Sequence, residues 1–217
     1  MALAPIALAP MALAPMALEK MTSKKKLKII EEEEKFDIGE YRQALSLKIK
    51  DILLRDQQKE ITYDILDTER MKADKISALK VKQYQMKIGE IWQEVFGSYE
   101  SFENLKVGHE TGLDLLSHKR KIVIELKNRT NTDNASSQKT NFDKLARYKK
   151  EHPDYQAIYG TINADTAEKT EKGGIKKFMH NEVELQHYTG MDLLHLILGE
   201  HTATIIEFIR TLIDAHT

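Results

Sequence analysis

Between Pro15 and Pro153 the chain has no proline, and within that span its hydrophobic period changes once. Up to Phe96 the apolar residues recur at helical spacing. Tyr41, Leu45, Leu47, Ile49, Ile52 and Leu53 form one set, and Ile61, Ile65 and Leu66 a second. Ile76, Leu79, Val81, Tyr84, Ile88, Ile91, Trp92, Val95 and Phe96 form a longer one, with Gly97 as its expected stop. Beyond Gly97 the apolar runs become short and alternating, which is the signature of strands. A chain patterned this way builds a helical region over residues 27–99 followed by an α/β domain over 100–217.

The first 26 residues behave differently. MALAPIALAPMALAPMALEK is a five-residue repeat with Pro5, Pro10 and Pro15, followed by Lys24, Lys25 and Lys26. Proline at that period removes backbone donors and clashes with the preceding turn, so no spanning helix forms there. The basic residues follow the apolar part, the reverse of a secretory leader. Residues 1–26 therefore read as a disordered tail, and Met21 resembles an ordinary protein start. The absence of cysteine excludes disulfides, thiolate zinc sites and a catalytic thiol. It fits a cytoplasmic protein, in which the sequons at Asn128 and Asn134 carry no meaning. The histidines lack zinc-hydrolase spacing and read as ordinary surface or core residues.

Past Gly97, Thr111–Ser117 and Lys121–Lys127 read as two strands joined by a tight turn at His118-Lys119-Arg120. Asn128–Asn141 reads as a polar loop. A helix follows from Phe142 and stops before Pro153. Tyr155–Ile162 reads as a buried strand, Asp165–Gly174 as a second polar loop with Gly173-Gly174 as a turn, and Val183–Tyr188 as a fourth strand. Thr189 is placed to cap a terminal helix that breaks at Gly199.

Within GLDLLSHKRKIVIELKN, strand alternation puts Ile122, Ile124 and Leu126 on one face and Val123, Glu125 and Lys127 on the other. A hairpin brings Asp114 beside Glu125. Two carboxylates with an adjacent ammonium suit phosphodiester hydrolysis. Asp114 and Glu125 are hard oxygen ligands for Mg²⁺. Lys127 can orient the attacking water and stabilise developing negative charge, and becomes a base only if its pKa is lowered. The bland alternative is a strand-end salt bridge between Glu125 and Lys127.

Formal net charge is −1, so contact with nucleic acid must come from local clustering. From Lys119 to Lys150 there are ten Lys or Arg against three acidic residues. Arg129, Asn131, Asn134, Ser136, Ser137, Gln138 and Lys139 directly follow the Glu125–Lys127 strand. They are suited to reading base edges and phosphates of double-stranded DNA.

The Asp114…Glu125-Leu126-Lys127 pattern resembles the PD-(D/E)XK nuclease core, best known from type II restriction endonucleases. Leu113 departs from it, standing where proline is expected. The resemblance implies a mixed central sheet flanked by helices, Mg²⁺ dependence, and a further acidic residue on the helix before the first strand. Glu90 matches that role, with Glu94 as the neighbouring candidate. IELKNRTNTDNASSQK is most similar to the group cutting GGNCC-like sites. The expected activity is hydrolysis of duplex DNA at a short, palindromic site by a homodimer, with the region 27–99 supplying the interface and a cognate DNA methyltransferase in the same system. A repair or junction-resolving nuclease and a non-catalytic DNA-binding module are the alternatives.

Overall fold

The computed structural model describes residues 36–55, 61–106, 108–130 and 134–216. The tail read over residues 1–26 lies outside them, as does Asn131. Within the 38–217 unit, the chain opens with α1 (Ile38–Leu54) and α2 (Glu69–Gly97). Thr68 starts α2 by accepting from the Met71 amide at 3.3 Å. The two helices pack through Leu45, Ile49 and Ile52 on one and Ile91, Val95 and Phe96 on the other, and Tyr41 Oη donates to the Val95 carbonyl at 2.7 Å. Helix α2 ends at the expected glycine, where a β-carbon would sit 2.4 Å from Asn104.

Six strands follow: β1 (Glu103–Asn104), β2 (Leu115–Ser117), β3 (Ile122–Arg129), β4 (Gln156–Asn163), β5 (Gly174–His180) and β6 (Val183–Thr189). Their order across the sheet is β1-β2-β3-β4-β6-β5. The central β3, β4 and β6 run parallel, while β1, β2 and β5 pair antiparallel with their neighbours. Helix α3 (Ala135–Glu151) connects β3 to β4 and buries Leu145, Ala146 and Tyr148 against Val123, Ala157, Tyr159 and Leu185. On the other face, α5 (Gly190–Leu198) packs so closely that Leu193 lies 3.0 Å from where a Gly160 β-carbon would be. After a short 3₁₀ turn at Gly199–His201, α6 (Thr202–Asp214) packs against α1. No helix among the described residues is long and apolar enough to cross a membrane.

Four local expectations are corrected. The polar loop read over Asn128–Asn141 is mostly ordered structure: β3 runs on to Arg129, and α3 starts at Ala135. Asn134 Oδ1 accepts from the Ser137 amide at 2.8 Å. With that cap in place and its C-terminal half anchored in the core, the helix propagates back through residues that bury nothing. The second polar loop holds a short helix, α4 (Ala167–Lys172), capped by Thr166, and the turn read at Gly173-Gly174 opens β5. Thr189 stands at the start of α5, yet its side chain caps nothing and donates instead to the Gly174 carbonyl at 3.4 Å. Finally, β2 is confined to Leu115–Ser117, because the chain turns at Gly112, whose φ is +63°.

Candidate active site

Strand β3 carries the central pair. Val123, Glu125 and Lys127 face the α3 side of the sheet, as alternation requires, while Ile124 lies on the α5 side. Glu125 is only 3% exposed, and its Oε1 accepts from Lys127 Nζ at 2.7 Å. Among the described residues, its Oε2 is the buried side-chain oxygen with no hydrogen-bond partner. Burial raises the Glu125 pKa above its ordinary value of 4.5, and the nearby Asp114 charge pushes the same way. The Lys127 hydrogen bond and the Lys127 and Lys144 charges oppose them.

Asp114 is held by the hairpin itself. Its amide donates to the Ile124 carbonyl at 3.1 Å, which continues the β2–β3 ladder by one step. The next ladder position is taken by its side chain: Oδ2 accepts from the Leu126 amide at 2.7 Å. A carboxylate thus stands where a backbone carbonyl would be, and its orientation beside Glu125 follows from strand pairing. Its Oδ1 accepts from Gln93 Nε2 of α2 at 3.4 Å. From α3, Lys144 Nζ donates to the Gly112 carbonyl at 3.0 Å and to Asn141 Oδ1 at 3.3 Å, tying that helix to the turn before Asp114.

Asp114, Glu125 and Lys127 are therefore brought together. The two acids named on α2 lie elsewhere in its contact network. Glu90 Oε1 pairs with Arg55 at 2.8 Å, and Glu94 Oε2 pairs with Lys48 at 2.9 Å. An α2 side chain that reaches Asp114 is Gln93, three residues after Glu90 and one before Glu94. Neither Gln93 nor Lys144 stands out in the sequence, since each contact depends on how a helix is laid against the hairpin. At the end of β3, Arg129 is exposed, and so is every residue from Asn134 to Thr140, which includes Ser136, Ser137, Gln138 and Lys139. The first turns of α3 are exposed to solvent.

A family model for the Eco47II restriction endonuclease matches residues 59–204, more than half of the chain and the whole sheet. The chain belongs to this family. Its mixed six-stranded sheet flanked by helices is the restriction-endonuclease-like fold that the PD-(D/E)XK resemblance implied. No curated protein matches the chain. Family membership implies a DNA substrate.

Two carboxylates do not by themselves cage a cation, and no group of three or more His, Asp or Glu among the described residues is placed to hold one. Mg²⁺ does not need such a cage. It keeps several waters and is bound through one or two carboxylates plus substrate phosphate oxygens. A buried, ionisable oxygen without a partner, at Glu125 Oε2, is the kind of donor such an ion would satisfy.

Proposed function

We propose that this chain is a type II restriction endonuclease that hydrolyses phosphodiester bonds in double-stranded DNA, with Asp114 and Glu125 holding Mg²⁺ and Lys127 at the reacting phosphate. The observation carrying this reading is the unpartnered, buried Glu125 Oε2 beside Asp114, in hydrogen-bonding company with Lys127. When bound, Mg²⁺ supplies neutralisation of the crowded negative charge and activation of the attacking water. The chain's own residues do the rest. The Leu126 amide and Gln93 keep Asp114 turned toward Glu125. Lys127, paired with Glu125 and a fifth exposed, can present its ammonium to the developing oxyanion. With Glu90 engaged by Arg55, the contribution from α2 falls to Gln93.

Recognition is assigned to Arg129 and to the exposed start of α3, with Asn134, Ser136, Ser137, Gln138 and Lys139 against base edges and phosphates, and to Asn131 in the segment between them. A helix whose first two turns are exposed fits a major groove. The enzyme acts as a cytoplasmic homodimer on a palindromic, GGNCC-like site, paired with a cognate methyltransferase. Exposed Met71, Ile76, Val81 and Tyr84 on the first part of α2 support a subunit contact there. The test is digestion of a plasmid by pure protein with Mg²⁺, beside the same digestion in EDTA and with Lys127→Met. Discrete fragments that need both Mg²⁺ and Lys127 are expected. Plasmid left intact by the folded wild-type protein would overturn the proposal, and nicking confined to branched DNA would redirect it to a structure-specific nuclease.

A further inference from the structure

The row of side chains containing Glu125 does not stop at β3. Strand pairing places Tyr159 of β4 beside Glu125, His187 of β6 beside Tyr159, and Lys176 of β5 beside His187, all on the α3 face. In the adjoining row, Thr161 lies beside Lys127. Thr161 is a polar residue only 1% exposed, and its hydroxyl is joined to His187 Nε2 at 3.0 Å. Burial, together with the nearby Lys176 charge, holds His187 below the usual histidine range, so it is neutral at pH 7. The Thr161 hydroxyl holds the imidazole by Nε2 and leaves Nδ1 without a bond among the described residues.

The cations around this edge are sorted by face. Lys177, on the opposite face of β5, pairs with Glu184 at 3.0 Å, and Lys169 and Lys172 of α4 have Asp165 and Glu168. Lys176 is exposed and makes no ion pair among the described residues. At a strand spacing of about 4.8 Å, Lys176 lies some 14 Å from Glu125, measured across the sheet. That is the axial rise of about four nucleotides in one strand of duplex DNA.

We propose that Lys176, with the His187 imidazole beside it, forms a seat for the phosphate backbone of the strand being cut, on the same strand row as Glu125 and separated from it by the buried Tyr159, with the Lys176 ammonium donating to a phosphate beyond the scissile one. Thr161 is the positioning residue that fixes the imidazole. The seat rests on the nuclease reading above, and it is independent of sequence, because phosphates carry no base information.

The experiment measures binding of a short mixed-sequence duplex in Ca²⁺ across a salt series, for the full-length wild type, Lys176→Ala, Lys176→Arg and Lys177→Ala. Lys177→Ala removes an equal charge from the same strand on the other face. Loss of one phosphate contact lowers the slope of log K against log salt by about 0.9. Lys176→Ala should show that fall, Lys176→Arg should restore the wild-type slope, and Lys177→Ala should leave it unchanged. A wild-type slope in Lys176→Ala overturns the seat and leaves the lysine as a guard of an edge strand. Equal falls in Lys176→Ala and Lys177→Ala overturn it too, as general charge loss. If the wild type itself fails to retain the duplex, the nuclease reading falls, and the seat falls with it.

Discussion

Replacing Glu125 by glutamine should make the metal-free protein more stable while removing its activity. The carboxylate is buried, has one oxygen hydrogen-bonded to Lys127, and leaves the other without a partner. Glutamine keeps the size, and its Oε1 can still accept from Lys127, so packing is preserved. What disappears is the penalty for holding a charge out of water. A folded-state pKa above 4.5 means that protonation favours the folded protein. The stability associated with the protonated acid is complete below pH 4.5 and is lost as pH rises through the raised value. At pH 8 in EDTA the wild type therefore carries the full cost. The difference between leaving a charged and a neutral group unsatisfied is about 1 kcal/mol. In a unit of this size that corresponds to a rise in Tm of about 2–4 °C. Thermal unfolding by circular dichroism at pH 8 and pH 4 measures it. Glu125→Gln should melt higher at pH 8, match the wild type at pH 4, and lose the stabilisation that Mg²⁺ gives the wild type. A variant that melts at or below the wild-type temperature at pH 8 would refute the claim that this carboxylate is held at a cost.

Asn134→Ala should cost about 1 kcal/mol through loss of the α3 cap, and Asn134→Ser should restore it, read as Tm. If Asn134 also reads a base, Asn134→Ser should still weaken preference for the cut site about tenfold in duplex competition, the equivalent of about 1.4 kcal/mol; unchanged preference would remove Asn134 from recognition. Gly190→Ala should destabilise by about 3 kcal/mol, because φ is +54° there and a β-carbon would lie 2.1 Å from the Thr170 carbonyl oxygen. A fall in Tm smaller than about 2 °C would show that α4 can move aside without cost.

The parts of the fold that were legible are those whose own residues carry the signal. The alternation of Ile122 to Lys127 shows both the strand and which side chains share a face, and Gly97 and Gly199 mark the ends of helices that stop there. The start of α3 was not legible, because Ala135 to Asn141 contains no large hydrophobe and its helical state comes from a cap and from a buried stretch that begins at Leu145. Strand β5 was missed for a related reason. It pairs with β6 alone, and it leaves Ile175 54% and Met179 65% exposed, so its apolar residues do not mark a buried face. At the site, the Glu125–Lys127 pair is local and could be read directly. Which side chain of α2 meets Asp114 depends on the rotation of a long helix, a quantity that one residue in the wrong place changes by 100°. Glu90 and Gln93, three residues apart, lie about 60° apart around the helix axis, one engaging Arg55 and the other Asp114.

The isolation of the first turns of α3 has an evolutionary consequence. Residues 134–140 are exposed throughout, and the helix is anchored from its other end by Leu145, Ala146 and Tyr148. Substitutions among Ser136, Ser137, Gln138 and Lys139 remove no buried contact, so folding places almost no restriction on them. Asp114, by contrast, completes the hairpin ladder, and Glu125 lies inside the sheet. Descendants of such a chain can change the surface they present at α3 many times over while their hearth stays as it was.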